Sequence, residues 1–169
     1  MNTVIQVLPE GVRYLLAGKT DLAYLGELQT LEKWPQVDLP GSIPFEKVGD
    51  VFAKTDICLV LCDYLSGDPS RRGTQGSRKL FEYVRAGLTV LCTDFVPWEG
   101  IVEGNRCGMC ANPQDSCGIS NAISDLMQNP ARSSEMGENG QKAVLGKHDW
   151  SLEEKRLMAL YDAVLGEGE

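Results

Sequence analysis

Five short apolar runs, separated by stretches with helical spacing, constrain this chain more than any other feature. Val12–Ala17 stops at Gly18, Val37–Leu39 stops at Pro40-Gly41, and Ile57–Leu61 runs into a polar loop. Thr89–Thr93 and Gly108–Ala111 complete the set. Between the first two, Thr20–Trp34 repeats Leu22, Leu25, Leu28 and Leu31 at helical spacing, with Thr20 placed to cap it. Phe45–Lys54, Arg78–Ala86, Pro97–Glu103, Ser116–Asn129 and Ser151–Leu165 read as further helices, and Val4–Leu8 as the tail of one. Strands that alternate with helices demand a parallel sheet wound by right-handed crossovers, in a Rossmann-like α/β fold with helices on both faces. If Val12–Ala17 pairs directly with Ile57–Leu61, the order is 2-1-3-4-5, an accepted doubly wound order. The alternative is a gap there, filled by a second chain or by an N-terminal segment ahead of these residues.

The 169 residues suit one domain, 1–169, with a core of useful size. A net charge of -8 argues against nucleic acid as a partner. No apolar run approaches the roughly 20 residues of a membrane span, so association with a membrane would need another domain. Nor does the N-terminus read as a signal peptide. Of the six cysteines, Cys58, Cys62 and Cys92 lie in apolar runs and read as small hydrophobes. Cys107 and Cys110 make a C-x-x-C with Cys117 further on, but a zinc site would need a fourth ligand, and the only histidine is the distant His148. Reduced thiols fit a cytoplasmic setting.

Against the acidic background one basic cluster stands out. Arg71, Arg72, Arg78 and Lys79 flank the glycine-containing end of the loop Asp63–Gly76 and the start of the helix that follows it. Unpaired N–H groups and the positive end of a helix dipole make that place an anion site. Gly76 lets the backbone approach a ligand closely, and Glu82, one turn into the helix, is placed to accept hydrogen bonds from ribose hydroxyls. An ordinary solvated loop and amphipathic helix would carry the same residues.

The run Ser77-Arg78-Lys79-Leu80-Phe81-Glu82-Tyr83-Val84-Arg85-Ala86-Gly87-Leu88-Thr89-Val90-Leu91 resembles the K-L-x-E-Y-x-x-x-G-x-P-V segment of retaining glycosyltransferases of the GT-B fold, group 1, those similar to sucrose and glycogen synthases. Trp98-Glu99, Gly104 to Gly108, Met136-Gly137-Glu138-Asn139-Gly140 and Trp150 continue the resemblance in order. It covers most of the chain, but only the C-terminal, donor-nucleotide half of such an enzyme. The resemblance implies a nucleotide-sugar donor, no metal and no other cofactor. It implies diphosphate binding by Gln75, Gly76, Ser77, Arg78 and Lys79. Independently of it, Lys19, after Gly18 at the end of the first strand, is placed to reach a phosphate, although a lysine there is more often simply solvated. It also implies a base lined by Ile43-Pro44 and a ribose held by Glu82. A second family carboxylate, which contacts the transferred sugar, is replaced here by Thr74. The family's pyrophosphate-neutralising Arg and Lys, and the acceptor-binding N-terminal domain, have no counterpart in these residues, so the chain alone is expected to be inactive. The same features fit a non-catalytic nucleotide-binding or interaction module that kept the fold. A flavodoxin-like domain is a third reading, poorly matched by Gly18-Lys19-Thr20-Asp21.

Overall fold

The structure is a computed structural model that describes residues 2–64, 77–147 and 150–166. In chain order the elements are α1 (Asn2–Gln6), β1 (Tyr14–Ala17), α2 (Leu22–Gln29), β2 (Val37–Gly41), α3 (Val48–Phe52) and β3 (Ile57–Val60). After residues 65–76 come α4 (Arg78–Arg85), β4 (Thr89–Thr93), α5 (Val96–Val102), β5 (Gly108–Ala111), α6 (Ser116–Gln128), α7 (Pro130–Lys147) and α8 (Trp150–Gly166). The α/β class and the parallel pairing stand as the sequence implies.

β4 is central to its sheet, flanked by β3 and β5, and all of its residues are buried. Alternation along the strands splits the core into two layers. Val60, Val90 and Cys92 face Leu80, Val84, Trp98, Val102 and Val144. On the opposite face Ile57, Leu59 and Leu91 meet Ile119 and Ile123 of α6, with Val7 and Val12 beside them. Helices therefore cover both faces of this sheet, as a doubly wound fold requires.

The strand order departs from 2-1-3-4-5. β1 pairs with β2 alone, in a two-stranded sheet, and does not pair with β3. A cleft of about 880 Å³ lies between them, lined by Tyr14 and Leu15 on one side and by Ile57, Cys58 and Leu59 on the other. Side chains bridge this gap. Val12, Ile57 and Leu59 all pack against the layer of Leu91, Ile119 and Ile123, and the ring of Phe52 meets that of Tyr83 edge-on at 5.4 Å. The arrangement with a gap is the one found.

Two local expectations also change. The N-cap of α2 is Asp21, not Thr20: its Oδ1 accepts the N–H groups of Ala23 and Tyr24 at 2.9 and 3.1 Å. The 18-residue helix α7 has no counterpart among the expected elements. Its glycines hide it from periodicity, and packing explains them. A Cβ on Gly137 would sit 2.0 Å from the carbonyl oxygen of Gly87, and one on Gly140 would sit 2.9 Å from Val84. Gly87 has φ of 77° and ends α4 in a Schellman turn, in which the Leu88 N–H donates to Tyr83 O and the Gly87 N–H to Val84 O, both at 3.1 Å. The Met136–Gly140 motif is thus a packing motif that fits α7 against α4. On α8, Leu157, Leu160, Tyr161, Val164 and Leu165 form one exposed apolar stripe.

Gly137→Ala is expected to lower stability by about 1–3 kcal/mol, because the added methyl overlaps backbone that cannot turn aside. Urea unfolding checks this: the midpoint should fall while the slope stays unchanged.

Candidate functional site

Sites in wound parallel sheets lie beyond the carboxyl ends of the strands. Here that rim is built by side chains that clamp strand ends together. Thr93 Oγ1 accepts from Cys62 N–H and donates to Cys62 O, both at 2.8 Å, so the end of β3 is pinned to the end of β4. Thr93 is fully buried, which makes each bond costly to lose. One residue on, the Tyr64 hydroxyl donates to Asp94 Oδ1 at 2.5 Å. Its ring meets Phe95 edge-on, and Phe95 in turn meets the buried Trp98 at 4.9 Å. These contacts fix the point where the chain leaves the rim. Arg71, Arg72, Thr74, Gln75 and Gly76 lie outside the described residues.

The chain is described again at Ser77, and there it caps α4. Ser77 is extended, and its Oγ accepts the Leu80 N–H at 3.5 Å. Leu80 and Val84 anchor the buried side of the helix, while Arg78 and Lys79 stay exposed at its N-terminus. Glu82 is exposed on the same outer side, its carboxylate 3.9 Å from the Arg78 guanidinium. That pair is long, solvated and in the weaker Arg-before-Glu order, so it holds Glu82 only loosely. A helix N-terminus, two exposed cations and a carboxylate one turn in can receive an anion and a vicinal diol side by side.

The remaining expected residues fall into two groups. Ile43 and Pro44 line the same cleft as Tyr83, the neighbour of Glu82 on α4. Phe45, directly after them, is 83% exposed, an aromatic face the sequence reading did not single out. Gly18 and Lys19 lie at the end of β1, where Gly18 takes φ of 139° and donates its N–H to Gly41 O at 2.9 Å. Lys19 is exposed and does not line that cleft. A second, small pocket of about 210 Å³ gathers Tyr24, Leu61, Cys62, Asp63 and Pro113 from the ends of separate elements. Cys62 and Asp63 directly follow the third apolar run, where a rim site is expected; Tyr24 and Pro113 carry no motif that would mark them.

The cysteines divide by burial. Cys107 is buried, its Sγ donating to Val102 O at 3.5 Å, while Cys110 turns to Cys92, Sγ to Sγ 3.4 Å across β4 and β5. The C-x-x-C residues thus have different partners, and no cluster of three metal-binding side chains occurs among the described residues. Burial pushes the Cys58 thiol up to about 12 and the Cys107 thiol up to about 11. The hydrogen bond with Cys110, and then burial, push Cys92 up as well. Raised values keep these thiols neutral and poorly nucleophilic. Iodoacetamide at pH 8 is therefore expected to alkylate Cys62 and Cys117, which are exposed, and to spare Cys58, Cys92 and Cys107 in the folded protein. Peptide mass mapping reads the outcome.

Comparison with known proteins follows the same lines. The structure is similar to sucrose-phosphate synthase from Thermosynechococcus elongatus, with a TM-score of 0.75 at 21% identity over 91% of this chain and 39% of that one. It is similar to HepE of Anabaena, solved in complex with UDP, with a TM-score of 0.75 at 18% identity over 96% of this chain and 43% of that one. It also resembles the C-terminal domain of a group 1 glycosyl transferase, LpcC, from Francisella tularensis, with a TM-score of 0.60 at 15% identity over 88% of this chain and 98% of that domain. At these identities the likeness is one of fold. The chain spans 39% and 43% of the first two proteins, so it corresponds to less than half of each. No curated protein matches it in sequence. No helix among the described residues is long and apolar enough to cross a membrane. The glycosyl transferase-like family model matches residues 3–159, and the chain belongs to that family.

Proposed function

We propose that this chain is the nucleotide-sugar-binding half of a retaining glycosyltransferase, acting in polysaccharide or glycoconjugate synthesis together with an acceptor-binding half. The observation that carries the reading is the outer side of α4. The Ser77-capped N-terminus, the exposed Arg78 and Lys79, and the loosely held Glu82 carboxylate lie in a row, with Ile43 and Pro44 lining the cleft beside the next residue, Tyr83. HepE, solved with UDP and with UDP-glucose, has the same fold. In the proposed complex, backbone N–H groups of Ser77, Arg78 and Lys79, with Gln75 and Gly76, hold the diphosphate. Glu82 accepts hydrogen bonds from both ribose hydroxyls, and Ile43 and Pro44 border the base. Gly18 and Lys19 approach the phosphates from the end of β1. No metal is needed for this scheme: negative charge that grows on the departing nucleotide meets the dipole end of α4 and its cations. In the same scheme Thr74 takes the family position that contacts the transferred hexose.

A second reading has its own support. Thr74 replaces a family carboxylate, and the family's pyrophosphate-binding Arg and Lys find no match. Both favour a module that binds nucleotide without transferring sugar.

Thermal shifts with UDP, GDP, ADP and their sugar conjugates at millimolar concentration test the site. One nucleotide is expected to raise the midpoint, since ligand that binds the folded state stabilises it. Glu82→Gln should weaken that nucleotide by about 1.5–3 kcal/mol, roughly tenfold or more, while the unliganded midpoint stays put. Silence from every nucleotide would sink the reading, and unchanged affinity in the variant would remove Glu82 from it. Binding without hexose transfer, once an acceptor-binding half is supplied, would favour the non-catalytic module.

A further inference from the structure

Cys92 and Cys110 are register partners in the adjacent parallel strands β4 and β5. Register partners point to the same face of a sheet, and both thiols join the layer of Leu80, Val84, Trp98 and Val102. Their sulfurs lie 3.4 Å apart. Strands spaced about 4.8 Å apart keep such residues within the Cα separation, roughly 4.4–6.8 Å, that a disulfide spans. The two thiols differ in access. Cys92 is fully buried in the central strand, whereas Cys110 is half-buried on β5, which among the described residues pairs with β4 alone. The Cys110 N–H donates to the carboxylate of the exposed Glu103 at 3.3 Å, at the border with solvent. Cys107, the other half of the C-x-x-C, is directed elsewhere, its Sγ donating to Val102 O at 3.5 Å.

We propose that Cys92 and Cys110 are an oxidation site: hydrogen peroxide converts the pair to an intramolecular disulfide that cross-links β4 to β5. The step balances with one peroxide. The thiolate fraction of Cys110 attacks a peroxide oxygen, the O–O bond breaks, and the departing oxygen takes up protons as water. Cys110 is then a sulfenic acid. The Cys92 sulfur attacks the Cys110 sulfur, the S–O bond breaks, and hydroxide leaves with the Cys92 proton as a second water. Two thiols lose two electrons in all, and the peroxide gains them. Cys92 holds its proton until that second attack, because the hydrogen bond with Cys110, and then burial, push its thiol up. A partner already in contact acts at a high effective concentration, so closure outruns further oxidation of Cys110. The new bond lies one residue before Thr93, which pins the end of β3 through Cys62, and Asp94 beyond it donates its N–H to Ala111 O at 3.1 Å. The disulfide therefore ties β5 to the strand that organises the rim.

The test uses the full chain carrying Cys62→Ser and Cys117→Ser, which removes the exposed thiols that would link one molecule to another. No nucleotide is present, so failure here is separate from failure of the donor site. A small excess of hydrogen peroxide is expected to remove two hydrogens from the intact mass, and fragmentation of the digest should join Cys92 to Cys110. The thermal midpoint is expected to rise by about 3 °C or more, because the cross-link restricts the unfolded chain, and to return with dithiothreitol. Adding Cys110→Ser, a change at a half-buried position, is expected to leave the reduced protein folded and Cys92 a thiol, with neither effect of peroxide. A link from Cys107 to either partner would overturn the proposal, as would sulfinic acid at Cys110 without a cross-link. Unmodified thiols at both positions, or a cross-linked protein whose midpoint does not rise, would overturn it equally.

Discussion

Backbone passes within touching distance of backbone where Gly137 crosses the carbonyl of Gly87, and the position of α4 depends on that crossing. Any side chain at 137 would push α7 outward and loosen its grip on Val84 through Gly140. The Schellman turn at Gly87 then sends the chain directly into β4, whose residues are all buried. Strand, turn and helix are thereby locked as one unit, and the far end of that unit is Ser77. Precision at the outer end of α4 is bought with glycines at its inner end. Rigid elements of this kind are where binding groups hold their geometry best.

The same junction explains what could be read in advance. Arg78–Ala86, Gly87 and Thr89–Thr93 were legible because each part follows a local rule: an N-cap serine, helical spacing of Leu80 and Val84, an αL glycine and a β-branched apolar run. α7 was not legible, although it is 18 residues long. Its buried face is made of glycine as well as Met136 and Val144, and glycine carries no hydrophobic signal while lowering helix propensity. Only the tertiary fit to Gly87 gives those glycines a reason. The Asp21 cap was missed for a smaller reason: Thr20 and Asp21 are both good caps, and one residue of register separates them.

The order of strands was illegible on different grounds. Periodicity tells that a run is a strand and how many of its faces are covered; it says nothing about which neighbour lies beside it. Val12, Tyr14 and Leu15 on one run and Ile57 and Leu59 on the other would satisfy either a shared ladder or a cleft. The burial record separates the two cases. β4, with a strand on each side, is buried at every residue, whereas Ile57 and Leu59 of β3 are only half-buried and Leu15 of β1 is exposed.

Cleft and site meet at Tyr83. Successive helical residues point about 100° apart, so α4 can turn Glu82 outward to solvent while it turns Tyr83 toward Cys58 and the cleft. Burial, with Cys58 next to it, pushes the Tyr83 hydroxyl up to about 12, so the ring stays neutral there. Tyr83 thus ties the wall of the cleft, through its edge-on contact with Phe52, to the helix that carries Glu82.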